Sequence, residues 1–266
     1  MISNSRKTEL SELADYIATE DGDYGLPVDL QRIAYDNDIT YNLGNYENYF
    51  DGMLEYNKGL FHIYLNNNCG INLFAGRLRF SFAHELGHYF IDEHRYVLES
   101  GAWLHRPSKY QIKQRDPVEE EADYFASCLL MPDSIFTNKC AGPFSSTLLR
   151  SLKKEFNVSW PAVASRYMEI GTVPIAVVCA EKGVLKYKLF SKDFPYKYLL
   201  AERDKVVSDF TCAGDFFKNG VICEDTERVE AKEWFNVWED LRGIDVNEYC
   251  IYQEKYDRTL SILWFD

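Results

Sequence analysis

The sequence predicts a mixed α+β fold, with a small sheet set against helices in the first part of the chain and a second α/β unit after it. Three observations predict it. Helical periodicity recurs near residues 10–17, 76–91 and 117–131. Runs of β texture bounded by turn residues fill 39–65, 173–190 and 249–265. The texture then changes at Gly171, where a helical stretch stops and hairpins begin. With 266 residues, 46% of them hydrophobic and 15% aromatic, the chain has apolar material for more than one packed unit. The expected division is 1–143, a helical segment 144–172 and a last unit 173–266.

Each element follows from local signals. Leu10, Leu13, Ala14 and Ile17 share one helical face, and a second helix is expected to open at Pro27, a first-turn position that tolerates proline, and to run to Tyr35. "YFDGMLEYNKGLFHIYLNN" predicts a hairpin turning at Asn57, Lys58 and Gly59. A helix from Gly76 to Ile91 follows, then a polar, irregular stretch through Arg115. In "DPVEEEADYFASCLLMP", Asp116 is the expected N-cap, Pro117 the first helical residue and Pro132 the stop. Residues 147–170 predict two helices joined at Asn157–Ser159. Hairpins are expected over Val173–Phe190, turning at Glu181–Gly183, and over Tyr249–Phe265, turning near Lys255–Arg258, with a helix over Val229–Leu241 between them.

Composition narrows the function. Lys plus Arg number 29 and Asp plus Glu 42, a net of −13, and so acidic a surface repels phosphate backbones and anionic membranes, which favours protein or peptide partners. Seven cysteines are odd in number and scattered, with no C-x-x-C, so neither a disulfide framework nor a thiolate zinc site is expected. No apolar signal core opens the sequence, and stretches such as Ile175–Ala180 are too short to span a bilayer. A soluble, cytoplasmic protein is expected.

The chemistry concentrates in "RFSFAHELGHYF", residues 79–90. His84 and His88, four apart, lie about 40° apart around a helix and can reach one ion, whereas Glu85, rotated about 100° from His84, can reach a water beside that ion. Two imidazoles and a carboxylate leave zinc an open position, and Glu85 is then the expected proton acceptor and donor. An H-E-x-x-H arises by chance in roughly one chain in a hundred of this composition. The apolar arc Leu78, Phe82, Leu86, Tyr89 and Phe90 lies on another side from the histidines, which argues against a core histidine pair. Gly87 costs about 1 kcal/mol in mid-helix relative to Ala and predicts close packing against the backbone there.

The third ligand is expected among Glu119, Glu120 and Glu121. Acids in a first turn also serve the helix dipole, and Asp116 with Glu119 has the form of a capping box. Glu119 flanks the stripe Val118, Ala122, Phe125 and Leu129 beside small residues and is the first choice, with Glu121 and then Glu120 in reserve. Asp123 is the expected acceptor for a histidine N–H. His62 reads as a strand residue and Tyr124 as packing. His94, past the helix end, and His105, in the irregular stretch, are minor candidates for stabilising an oxyanion.

Taken in order, "FHIYLNNN", "GRLRFSFAHELGHYFI", "EEEADYFASCLLMP" and "EFNVSWPAVASRYMEIG" resemble the ImmA/IrrE-type zinc metallopeptidases over about residues 27–171. The resemblance implies a gluzincin-like core, a small sheet on two ligand-bearing helices, with an edge strand near Phe61–Leu65 pairing with an extended substrate. It implies His84, His88 and Glu119 as ligands of zinc (Mn2+ is tolerated by the same donors) and Glu85 as catalytic acid/base. It also implies a substrate, a helix-turn-helix transcriptional repressor whose cleavage relieves repression in stress or in phage and mobile-element regulation. Many members carry a further histidine four residues after the second ligand; here that position is Asp92. Residues 173–266 resemble the family's GAF-like sensory region only in texture, and a small-molecule or protein trigger is expected there by analogy.

Two other readings compete. One is a regulatory module that binds the repressor through a metal-bearing fold without cutting it. The other is a DNA-binding regulator using the helix-turn-helix-like pair 147–170, where Arg150, Lys153, Lys154 and Arg166 face Glu155 and Glu169 for a local net of +2. The overall acidity and Trp160-Pro161 at the head of the second helix disfavour the latter.

Overall fold

The computed structural model describes residues 2–19, 25–67, 76–101, 116–236 and 242–266. The chain divides into two compact units, Met1–Lys139 with Ser151–Val163 and Cys140–Arg150 with Ala164–Asp266. Both are α+β.

In the first unit, helix α1 (Asn4–Thr19) buries Leu10, Ala14 and Ile17 of the predicted face together with Ser11 and Ala18, while Leu13 is half-buried. Helix α2 (Leu30–Asp36) starts later than expected. Asp29 accepts from the backbone N–H of Gln31 and of Arg32, both at 3.1 Å, so the carboxylate cap, rather than Pro27, fixes where the helix begins.

Strands β1 (Thr40–Gly44), β2 (Gly52–Asn57) and β3 (Leu60–Asn66) form a sheet of order β1-β3-β2. The β2–β3 hairpin turns where the sequence predicts, with Lys58 and Gly59 at φ 51° and 90°, the left-handed pair that suits a tight turn. β1 runs parallel to β3, and β2 antiparallel, so that Ile63 faces Tyr41 on one side and Leu54 on the other. The expectation that Phe61–Leu65 forms an edge is therefore overturned. β3 is the middle strand, which accords with its burial of Phe61, Ile63 and Leu65 where β2 buries only Leu54; β2 is an edge.

Helix α3 (Gly76–Phe90) is followed at once by α4 (Asp92–Glu99), so the first part of the stretch expected to be irregular is helical. Helix α5 (Pro117–Leu130) opens as predicted, with Asp116 accepting from Val118 N at 3.0 Å and Pro117 in its first turn, and α6 (Asp133–Lys139) follows Pro132. α3 packs on α5 and on β2 and β3, and α1 on α5. The α3–α5 approach is close at Gly87, where a Cβ would stand 3.0 Å from Phe125 Cδ1 and 3.4 Å from Ala122 Cα. Ala122, Phe125, Ala126 and Leu129 are fully buried, as is Leu86, with Phe82 nearly so. At about 1.5–3 kcal/mol for each large side chain, this seam is a principal source of the first unit's stability. Helices α7 (Ser146–Phe156) and α8 (Trp160–Ile170) stand where the sequence predicts, and the chain passes between the units within them.

The second unit is built on an antiparallel sheet of strands β4 (Ile175–Glu181), β5 (Val184–Phe190), β6 (Glu227–Glu230), β7 (Asp245–Gln253) and β8 (Arg258–Trp264), in the order β5-β4-β8-β7-β6. Both predicted hairpins are present. Short helices α9 (Leu200–Asp204), α10 (Cys212–Asn219) and α11 (Ala231–Trp234) supply Ala201, Cys212, Ala213, Ala231 and Trp234 to a core shared with Ala176, Val178, Val246 and Leu263. The helix expected over Val229–Leu241 is a correction. Its first residues pair with β7, Val229 opposite Val246, only Ala231–Trp234 are helical, and 237–241 lie outside the described residues. Glu248 of β7 is fully buried and accepts from Cys212 N, Ala213 N, Trp234 Nε1 and Ser261 Oγ at 3.0, 3.2, 3.0 and 2.8 Å. The carboxylate thereby ties β7 to β8, α11 and the first turn of α10.

Candidate metal centre

Where α3 meets α5, three predicted residues converge. His84 and His88 stand one turn apart on α3, with their Nε2 atoms 3.1 Å from each other. Glu119, in the first turn of α5, places Oε2 3.3 Å from His84 Nε2 and Oε1 3.7 Å from His88 Nε2. One ligand atom from each of the three lies within 4.8 Å of the others, and theirs is the single such grouping of histidine, cysteine and carboxylate among the described residues. Donors bound at about 2.0–2.2 Å to tetrahedral zinc stand roughly 3.3 Å apart, so the trio fits a metal of that kind with little adjustment. Neither Glu120 nor Glu121, the reserve candidates, enters the group.

The surroundings set the protonation of the rings. His84 Nδ1 is 2.9 Å from Asp123 Oδ1; donation there leaves the Nε2 lone pair facing the trio. Burial pushes the His84 pKa down, but Asp123, Glu119 and Glu85 outweigh it and raise it to about 10 in the metal-free protein. His88 is 1% exposed and its Nδ1 lies 3.2 Å from Nδ1 of His94. His94, on α4, is itself buried behind His88, and burial lowers its pKa. The structure thus sets it at the back of the cluster rather than where an oxyanion would form.

Glu85 points another way from its histidine neighbours, as the helical rotation requires, and is 2% exposed. The backbone of β2 comes down on it at Gly52, where a Cβ would stand 2.7 Å from Glu85 Oε1. The edge strand and this carboxylate are therefore in contact. Glu121 faces α1: its Oε2 accepts from Arg6 Nε at 2.9 Å and Nη2 at 2.7 Å, and lies 3.6 Å from His94 Nε2. Reading the sequence brings out neither Arg6 nor its 115-residue separation from that partner. Two of the other candidates make structural contacts. His62 on β3 bridges Thr40 Oγ1 and Asn42 Oδ1, both at 2.6 Å, Tyr124 lies under Lys7 Nζ at 4.7 Å, and His105 lies outside the described residues.

Residues 70–168 match the family model described as IrrE N-terminal-like domain, Peptidase_M78. That match supports the ImmA/IrrE-type resemblance and, with the trio, a metallopeptidase-like site. A solved Mycobacterium tuberculosis transcriptional regulator is similar with a TM-score of 0.58 at 14% identity, over 98% of this chain and 78% of that one; at that identity the likeness is one of fold. No curated protein matches the chain. No helix among the described residues is long and apolar enough to cross a membrane.

Proposed function

We propose that this chain, with its IrrE N-terminal-like stretch at residues 70–168, is a cytoplasmic zinc-dependent endopeptidase that cleaves a helix-turn-helix transcriptional repressor. The observation that carries the reading is the meeting of His84, His88 and Glu119 within 4.8 Å, with Glu85 one helical step away beneath the edge strand. His84, His88 and Glu119 hold the metal and Glu85 is the catalytic residue. Zinc so held supplies Lewis acidity, acidifying water and polarising a peptide carbonyl. Glu85 takes the proton from the attacking water on its carboxylate and delivers it to the leaving amide nitrogen. Asp123 keeps His84 in the tautomer whose Nε2 is free to ligate. The outer edge of β2, residues 52–57, which no strand pairs among the described residues, adds an extended substrate segment as a further strand, bringing its carbonyl past Gly52 to Glu85.

In this reading the gluzincin-like core belongs to residues 1–143, the helix-turn-helix-like pair to 144–172, and a GAF-like sensor, answering an unidentified trigger in stress or mobile-element regulation, to 173–266. The DNA-binding alternative loses support from the cations it needs. Arg166 is 1% exposed and paired with Glu169 at 3.1 Å, and Arg150 donates to Tyr249 Oη at 2.9 Å and to the Glu224 carbonyl at 2.6 Å.

Wild type and Glu85→Gln, each analysed for zinc and incubated with the helix-turn-helix protein encoded beside its gene, test the reading. Cleavage by wild type alone, with one zinc in both proteins, is the expected result. Zinc and partner binding in both without cleavage would favour the non-cutting module, and a wild type without metal would overturn the site.

A further inference from the structure

We infer that His94, braced by Glu121 and Arg6, is a positioning residue that orients His88 toward the metal, and that helix α1 is thereby part of the metal centre. The inference rests on the metal-site reading above. It stands on a continuous line of polar contacts through the interior of the first unit: His88 Nδ1 to His94 Nδ1 at 3.2 Å, His94 Nε2 to Glu121 Oε2 at 3.6 Å, and Glu121 Oε2 to Arg6 Nε and Nη2 at 2.9 and 2.7 Å.

The chemistry of the donors gives this line a single direction. A His88 that ligates through Nε2 carries its proton on Nδ1, and that N–H needs an acceptor because the ring is 1% exposed. The atom facing it is His94 Nδ1, which accepts only if its own ring carries the proton on Nε2. That nitrogen lies 3.6 Å from the Glu121 carboxylate, which Arg6 holds in place with two donors. A carboxylate or carbonyl is the usual partner of a ligating histidine. Here an imidazole is interposed, and it passes the orienting role to a carboxylate one residue further from the metal.

Arg6 fixes more than Glu121. Its guanidinium also meets Glu9 at 3.2 Å on α1 and Glu93 at 3.0 Å on α4, so one cation gathers carboxylates from α1, α4 and α5. Glu93 adjoins His94, and the pairing sets the turn of α4 that delivers the His94 ring to His88. His84 differs: its partner Asp123 is 59% exposed by side chain and lies on the ligand-bearing helix α5 itself. The two histidine ligands are thus held by unlike means, and His88 alone depends on α1.

Zinc affinity measured by competition with a chromogenic chelator tests this on the full chain, for wild type, His94→Leu, His94→Asn, Arg6→Met and the Arg6→Met/His94→Leu double variant. Loss of a partner behind a ligand typically costs 10–100-fold in affinity, the expected effect of His94→Leu. His94→Asn, whose amide oxygen takes the place of ring Nδ1, is expected to stay within about threefold of wild type by the same criterion. Arg6→Met is expected to lose affinity by a smaller factor, and to add nothing in the His94→Leu background, because both act through one line of contacts. The Co(II) spectrum of Arg6→Met is expected to shift, reporting altered ligand geometry. Unchanged affinity in His94→Leu, equal losses in His94→Leu and His94→Asn, or full additivity with Arg6→Met would each overturn the inference while leaving the metal site standing. A wild type that binds no zinc would overturn both. If His94→Leu fails to fold, His94→Asn and Arg6→Met decide the matter on the same scale.

Discussion

Replacing Gly52 by alanine should silence Glu85 without touching the metal. The added Cβ would stand 2.7 Å from Glu85 Oε1, 3.0 Å from Cγ and 3.2 Å from Cδ, where ordinary contacts begin at 3.4 Å. The whole carboxyl group must therefore retreat by about 0.7 Å, not merely rotate one oxygen, and at 2% exposure it has little room to do so. A displacement of 1 Å at a reacting group can cost about 100-fold, so kcat/KM for the proposed cleavage should fall roughly 30-fold, close to 2 kcal/mol of barrier. Gly52 does not occupy the left-handed region, so alanine adds no backbone strain there. Gly59 supplies the control. It sits at φ +90° with open space around it, so Gly59→Ala should cost stability, about 1–2 kcal/mol, and leave cleavage intact. The crossed outcome is the test: zinc content near wild type in both, activity lost only in the first, stability lost mainly in the second. Full activity in Gly52→Ala would refute the idea that β2 seats the proposed catalytic carboxylate, as would loss of zinc in parallel with activity.

Three other outcomes follow from the same geometry. The His84 pKa of the metal-free folded protein, about 10 against an ordinary 6.5, is raised, so its stabilising effect is complete below about pH 6.5 and is lost as pH rises toward 10, by at most about 1.4 kcal/mol per pH unit. Because zinc must displace that proton, zinc affinity should climb with pH between 7 and 9, and a flat titration would contradict it. Gly87→Ala should gain up to about 1 kcal/mol in helix propensity yet lose more by pressing on Phe125 at 3.0 Å, for a net loss of about 1–2 kcal/mol in urea unfolding; a stabilised variant would show that α5 yields. In Glu248→Gln an amide NH2 must replace an oxygen that now receives two donors, so unfolding free energy should fall by about 3 kcal/mol; an unchanged midpoint would refute the role given to that carboxylate.

What was legible in the sequence shares a trait: it is written within a dozen residues. The spacing of His84 and His88 is a property of one helix, and Asp116 and Pro117 announce α5 locally. Lys58-Gly59 and Lys182-Gly183 dictate their turns in the same way. The misses depend on distant partners. Helix α4 reads as irregular because it buries little besides His94, with Tyr96 73% exposed, so no apolar stripe marks it. The four residues of β6 are too few for a period, and what makes them a strand is β7 alongside. The order β1-β3-β2 turns on a parallel pairing that no hairpin signal encodes. The placement of His94 was hidden for the same reason, since its meaning lies in a contact with Glu121 and, through it, with Arg6.

The way α7 and α8 are shared between the two units bears on how such a gene can be divided. The first unit needs residues up to 163, yet the second already claims 140–150. Any single crossover or truncation leaves at least one unit short of a piece of itself. During synthesis, a strip of the second unit leaves the ribosome before the first is complete. Exchanging residues 173–266 for another unit would carry the preceding helices along, or leave a breach to mend on both sides.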